Sequence, residues 1–148
     1  MMIGQYEAKV AAKFQVSLPR KFREVLGEKV ILTKGLGQCI MIVSAASWQV
    51  LTEGTADKAF IDKNSHEVQR FLLGNATEVD LDRKGRCVLP EFLREFAGIS
   101  TDVVFVGMQR YVEIWEKKAW DRYQAELAGR VESVADTLSR MPKEGTAL

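Results

Sequence analysis

The chain has 148 residues, 47% hydrophobic and 28% charged, with 21 Lys and Arg against 20 Asp and Glu, for a formal net charge of +1. That length holds one domain or two very small ones, the apolar share argues against disorder, and a balanced total does not exclude an anionic partner, because charge density is local. No apolar run approaches the roughly 18 residues that cross a bilayer, and the opening MMIGQYEAKV has no leader-like apolar core, so a soluble cytoplasmic protein is expected.

In chain order, the pattern first predicts a strand over residues 6–10, a short turn and a second strand over 16–18. Pro19 suits the first helical position, where a missing N–H costs nothing, and a short helix with Phe22, Val25 and Leu26 on one face runs to Gly27. Residues 9–23 carry Lys9, Lys13, Arg20, Lys21 and Arg23 and no acid. Strands over 30–34 and 39–43 follow, joined by a turn with Gly35 and Gly37. The next segment holds too many apolar residues for a flexible linker, and Asn64 followed by Glu67 fits a helix-capping box there, with Gly74 ending the helix.

From residue 78 the order repeats. Setting Pro19 on Pro90, an offset of 71 residues (90 − 19), brings Lys13 onto Lys84, Leu18 onto Leu89, Arg23 onto Arg94, Glu24 onto Glu95 and Gly27 onto Gly98. Beyond the glycine the offset becomes 72 (120 − 48), setting Trp48 on Trp120 and Ile42 on Ile114, as one inserted loop residue would do. Two copies of a unit of about fifty residues therefore form most of the chain, and because units this small bury little alone, the copies are expected to fuse into one pseudo-symmetric body. The expected divisions are 5–52, a helical connector at 53–75, 76–123, and a C-terminal helix and tail at 124–148. The last part reads as one helical stretch over 117–141, weakened by Gly129 and ended by Pro142, before a frayed end.

The charge in VDLDRKGRCVLP has two readings. Asp82-Arg83-Lys84-Gly85-Arg86 makes a solvated hairpin turn, with glycine supplying the positive φ. The alternative reading is that it presents Arg86 to a base edge, because the guanidinium fork matches guanine O6 and N7. In that reading Asp82 holds Arg86 in place, while Arg83 and Lys84 meet phosphates. The basic residues Arg20, Lys21 and Arg23 read as a helix's solvent face, and the equivalence of Arg23 and Arg94, each followed by Glu, favours a structural role for both. Cys39 and Cys87 lack CxxC spacing and read as reduced thiols in small apolar sites. A lone His66 supports neither a metal site nor a catalytic pair, and no phosphate-cradling loop opens a helix, so no cofactor, small-molecule substrate or enzymatic activity is expected. Trp48, Trp115 and Trp120 read as core and interface packing.

An Asp-x-x-x-Arg turn leading into Leu-Pro, set in a duplicated unit, together with RFLLGNA, VEIWE and the terminal helix, resembles the MraZ family of bacterial transcriptional regulators. The resemblance covers nearly the whole chain. It implies an α+β fold of two tandem AbrB-like swapped-hairpin units in a pseudo-two-fold arrangement, forming a small β-barrel with short flanking helices. It also implies binding of double-stranded DNA at direct repeats near cell-division and cell-wall genes, in the nucleoid, by a homo-oligomeric ring. The first copy departs from the motif: Ala11 and Gln15 stand where Asp and Arg are expected, and Phe14 replaces the turn glycine. Two accounts of its hairpin stand: it binds phosphates through Lys9 and Lys13, with Gln15 left as a weaker neutral reader and Arg86 carrying specificity, or its DNA binding is impaired, naturally or by engineering. The rival reading, which Ala11 and Gln15 favour slightly, is an oligomeric protein-interaction or antitoxin-like module with weak or lost DNA binding.

Overall fold

The computed structural model describes residues 1–56 and 63–142. The chain divides into two compact units, Met1–Lys117 and the part from Lys118 onward. The first unit runs β1 (Met2–Lys9), β2 (Gln15–Ser17), α1 (Arg20–Leu26), β3 (Lys29–Lys34), β4 (Ile40–Ser44), α2 (Ala45–Ala56) and α3 (Lys63–Leu72). It continues with β5 (Thr77–Asp80), β6 (Arg86–Val88), α4 (Glu91–Ala97), β7 (Asp102–Gln109) and β8 (Val112–Glu116). The strands make one six-stranded antiparallel sheet, ordered β1-β7-β8-β4-β3-β5, and a separate two-stranded ribbon, β2-β6.

The two copies exchange their first strands. β1 pairs with β7 of the second copy, and β5 pairs back with β3 of the first. A pseudo-two-fold axis relates them, and equivalent residues face each other on it: Val16 opposite Cys87 in the ribbon, and Met41 opposite Glu113 in the sheet. The register also corrects the expected single insertion. Ala8 and Val79, equivalent at offset 71, pair with Val103 and Val30, so β7 sits at offset 73 (103 − 30) from β3. Two residues are inserted before β7 and one is lost in the following hairpin, which restores 72 in β8.

The sheet does not close into the expected barrel. β1 and β5 remain its two edges, because β2 and β6 pair with each other rather than supplying the missing staves. The ribbon instead caps the inner face. Val16, Leu18, Cys87 and Leu89 from the ribbon and the Leu-Pro steps after it, with Phe22, Leu26, Leu93 and Ala97 from α1 and α4, pack on Val30, Leu32, Ile40, Ile42, Val103, Phe105, Val112 and Ile114. Each Val, Leu, Ile or Phe side chain among them taken fully out of water contributes about 1.5–3 kcal/mol. The outer face is buried too, through Ile31, Met41, Val43, Val104, Val106 and Trp115, with α2 lying against β3 and β4 and α3 against β3. The four middle strands are therefore apolar on both faces, which is why they read as VILT, IMIV, VVFV and VEIW rather than as an alternation.

Two polar side chains are buried among the described residues, and both are satisfied. Thr33 donates from Oγ1 to the Leu72 carbonyl at 2.7 Å, tying the end of α3 to β3. Glu113 accepts from Trp115 Nε1 at 3.0 Å. Pro19 and Pro90 occupy the caps of α1 and α4, one residue ahead of the expected position, and their carbonyls open the helical bonding. On α1, Phe22 and Leu26 are buried but Val25 is half exposed. Asn64 lies inside α3 rather than before it. The connector expected at 53–75 includes residues 57–62, which lie outside the described residues.

In the second unit the single helix expected over 117–141 is two, α5 (Lys117–Ala128) and α6 (Val131–Arg140). Gly129 interrupts them: its N–H still reaches the Ala125 carbonyl at 3.1 Å, but Arg130 N–H tightens onto Leu127 at 3.0 Å before α6 restarts. Val131, Val134 and Leu138 are exposed on α6. The frayed end expected beyond Pro142 falls on residues 143–148, outside the described residues.

Candidate nucleic-acid interface

The ribbon carries a turn at each end. Residues 82–85 lead into β6 beside the end of β2, and residues 11–14 lead into β2 beside the end of β6. Three-residue strands separate the turns by about 10 Å. Each turn carbonyl ties down the other copy: Gly85 O accepts from Leu18 N–H at 2.9 Å, and Phe14 O accepts from Leu89 N–H at 3.0 Å.

In the second-copy turn, Asp82 organises everything around it. Oδ1 accepts from the backbone N–H groups of Lys84 at 2.8 Å and Arg86 at 2.9 Å, while Oδ2 accepts from Arg86 Nε at 2.7 Å. The backbone N–H of Arg86 is the chief reason its carboxyl is held below the usual range; partial burial opposes this, and the Arg86 side chain and Lys84 N–H add to it. Arg86 keeps 40% of its side-chain surface exposed, so the guanidinium is gripped through Nε and still open to solvent. Arg83 and Lys84 are exposed beside it, giving three cations against one carboxylate. Gly85 turns at φ +74°, and a Cβ there would lie 2.5 Å from Arg23 Cδ.

The first-copy turn keeps the backbone closure and loses the side-chain chemistry. Ala11 N–H bonds the Gln15 carbonyl at 2.8 Å, as Asp82 N–H bonds that of Arg86 at 3.1 Å. Lys13 and Phe14 both take positive φ, 60° and 58°, which strains non-glycine residues. The Phe14 ring is held by Arg94, whose guanidinium lies 3.4 Å from the ring centre and donates from Nε to the Leu89 carbonyl at 2.9 Å. Arg23 over Gly85 and Arg94 over Phe14 are equivalent, each packing on the turn of the other copy.

Asp82, Arg83, Lys84 and Arg86 thus share one turn, and Lys13 and Gln15 share the other. Lys13 is exposed and Gln15 half-buried. Lys9 stands apart at the end of β1, in an ion pair with Asp102 at 3.4 Å that offsets its charge. Ser17 and Val88 were not singled out by the sequence reading, yet with Val16 and Cys87 buried they share the ribbon's outward face with Gln15 and Arg86. The period of two in QVSLP and RCVLP carries that information.

Both cysteines are free and buried. Cys87 is pushed up to about 11, first by burial and then by the Asp82 charge. Burial, with Glu113 nearby, raises Cys39 further. Among the described residues, no cluster of three or more His, Cys, Asp or Glu side chains is placed to hold a metal ion, and no helix is long and apolar enough to cross a membrane.

The sequence has relatives among known proteins. The family model described as "MraZ protein, putative antitoxin-like" matches twice, over residues 1–71 and 72–141. A protein of Acetivibrio thermocellus named transcriptional regulator MraZ is 39% identical over 141 residues, covering 95% of this chain and 99% of that relative. One of the same name from Caldanaerobacter subterraneus is 39% identical over 138 residues, covering 93% and 96%. Another from Clostridium tetani is 37% identical over 123 residues, covering 83% and 87%.

Proposed function

The chain belongs to the MraZ family, and from that premise we propose that it is a DNA-binding transcriptional regulator, without catalysis, whose β2–β6 ribbon enters the major groove. The observation that carries the proposal is Arg86, fixed through Nε by Asp82 and open on the ribbon's outward side. A two-stranded ribbon fits a major groove of about 12 Å, and a clamped guanidinium reaches guanine O6 and N7 with little rotamer freedom left to lose. Arg83, Lys84 and Lys13 take the neighbouring phosphates and supply affinity without sequence information. Gln15 is the lesser reader, and Lys9 acts only after leaving Asp102.

One such ribbon binds weakly. We assign the chain to a homo-oligomeric ring, working in the cytoplasm on nucleoid DNA, whose ribbons engage short promoter direct repeats near cell-division and cell-wall genes together, so that modest contacts multiply through effective concentration. The positions of β1 and β5 as the sheet's edge strands support self-association.

The test is a fluorescence anisotropy titration on duplexes carrying G-containing direct repeats, at two salt concentrations. Arg86→Ala is expected to cost about 1–3 kcal/mol per contacted base pair and to relax preference there. Lys13→Ala is expected to weaken all sequences alike and flatten the salt slope. Unchanged affinity and preference in Arg86→Ala would sink the proposal, and a salt-insensitive protein partner would favour an antitoxin-like module instead.

A further inference from the structure

The outward face of the ribbon carries four side chains, Gln15 opposite Val88 and Ser17 opposite Arg86. Three are polar. Val88 is apolar and 52% exposed, while the core place on β6 belongs to Cys87, 4% exposed. Val88 therefore presents its methyl groups outward, on the strand that presents Arg86, between cationic turns at both ends of the ribbon.

We propose that Val88 is a second specificity-determining residue, taking the 5-methyl group of a thymine two base steps from the guanine taken by Arg86. The inference rests on the DNA-binding reading above. Thymine is the base with an apolar group in the major groove, and a valine side chain matches it without leaving a polar atom unpaired. The spacing agrees as well. Residues i and i+2 on one strand face lie about 6.6 Å apart, against about 6.8 Å for two base steps along one strand.

The two-fold relation of the backbone does not extend to this chemistry. At offset 71 the counterpart of Val88 is Ser17, and that of Arg86 is Gln15. One half of the ribbon offers a cation and an apolar group, the other an amide and a hydroxyl. The site read by one subunit is accordingly not palindromic.

The experiment starts with a pool of randomised 20-base-pair duplexes (about two turns of DNA), from which the full-length protein and Arg86→Ala each select bound sequences. The position whose guanine disappears in Arg86→Ala is the Arg86 contact. Deoxyuridine, which lacks the methyl group, then replaces thymine two steps away, and both duplexes are titrated with wild type, Val88→Ala and Val88→Thr. Wild type is expected to lose about fourfold in affinity on thymine-to-uracil exchange, the scale of one buried methyl group. Val88→Ala should bind the two duplexes equally. Val88→Thr keeps the branched shape that holds the strand and should show an intermediate ratio. Selected sites without thymine at that position, or the same thymine-to-uracil ratio in all three proteins, overturn the role of Val88 while leaving DNA binding intact. A pool that yields no enriched sequence removes the sequence-specific DNA-binding reading and the Val88 proposal with it.

Discussion

Replacing Gly85 with alanine separates two costs that the structure superimposes at the turn. The first is backbone strain: φ there is +74°, and a left-handed non-glycine residue costs about 1 kcal/mol. The second is steric, because the new Cβ would lie 2.5 Å from Arg23 Cδ and 3.2 Å from Nη1, so Arg23 must leave its rotamer at a further cost of about 0.5–1.5 kcal/mol. Gly98 offers the control: its φ is +65°, and nothing lies within 4 Å of a Cβ built on it. Urea unfolding should therefore show Gly98→Ala costing about 1 kcal/mol and Gly85→Ala about 2 kcal/mol. Repeated in an Arg23→Ala background, Gly85→Ala should fall to about the cost of the control, a coupling of about 0.5–1.5 kcal/mol. Equal costs for Gly85→Ala with and without the Arg23 side chain would refute the idea that this arginine packs the turn.

Three further outcomes follow from the same geometry. Asp82 is held below the ordinary value near 3.8, so its turn is fully bonded above that value and loses the contribution as pH falls through the lowered one; the Arg86 amide and Nε proton shifts should titrate below 3.8 and not at all in Asp82→Asn, and a midpoint at or above 3.8 contradicts the bonding described. Because Cys87 is pushed up to about 11 and both thiols are buried, a thiol reagent at pH 8 should modify neither in the native protein and both in denaturant; rapid native modification would contradict the burial. Phe22 is fully buried in a T-shaped contact with Tyr6, with ring centres 5.0 Å apart, so Phe22→Ala should cost about 3–5 kcal/mol in urea unfolding, and a loss below 1 kcal/mol would mean that the site collapses around the deletion.

What the sequence disclosed and withheld has a physical pattern. The duplication was legible because Pro, Gly and the helix-face apolar residues recur at one spacing, and they recur because both copies need the same cap, the same turn and the same buried face. The six-stranded open sheet was not legible. Closure depends on which edge receives a strand, and apolar runs such as VVFV are equally at home in a barrel and in a sheet buried on both faces. The two-residue insertion before β7 escaped for a related reason: a loop insertion and a shorter hairpin nearly cancel, and only the pairing of Ala8 with Val103 and of Val79 with Val30 separates them. At the candidate site, the clamp between Asp82 and Arg86 could be anticipated, because residues four apart across a tight turn are close in any geometry. The packing of Arg94 on Phe14 could not, since it joins residues eighty apart (94 − 14) through the strand exchange. That contact gives Phe14 a physical reason to occupy a position better suited to glycine.

The strand exchange also bears on whether the duplicated halves could ever live apart. A chain cut in its connector would leave one fragment holding β1 with no β7 to receive it, and another holding β5 with no β3. Neither piece is a small protein in its own right; each is a template awaiting its counterpart. Co-expressed fragments should find each other and restore the ribbon, and a fragment alone should either seek a twin of itself or fail to fold, so a protease acting at that one place would hold the molecule together or take it out of service depending on whether the pieces stay in reach.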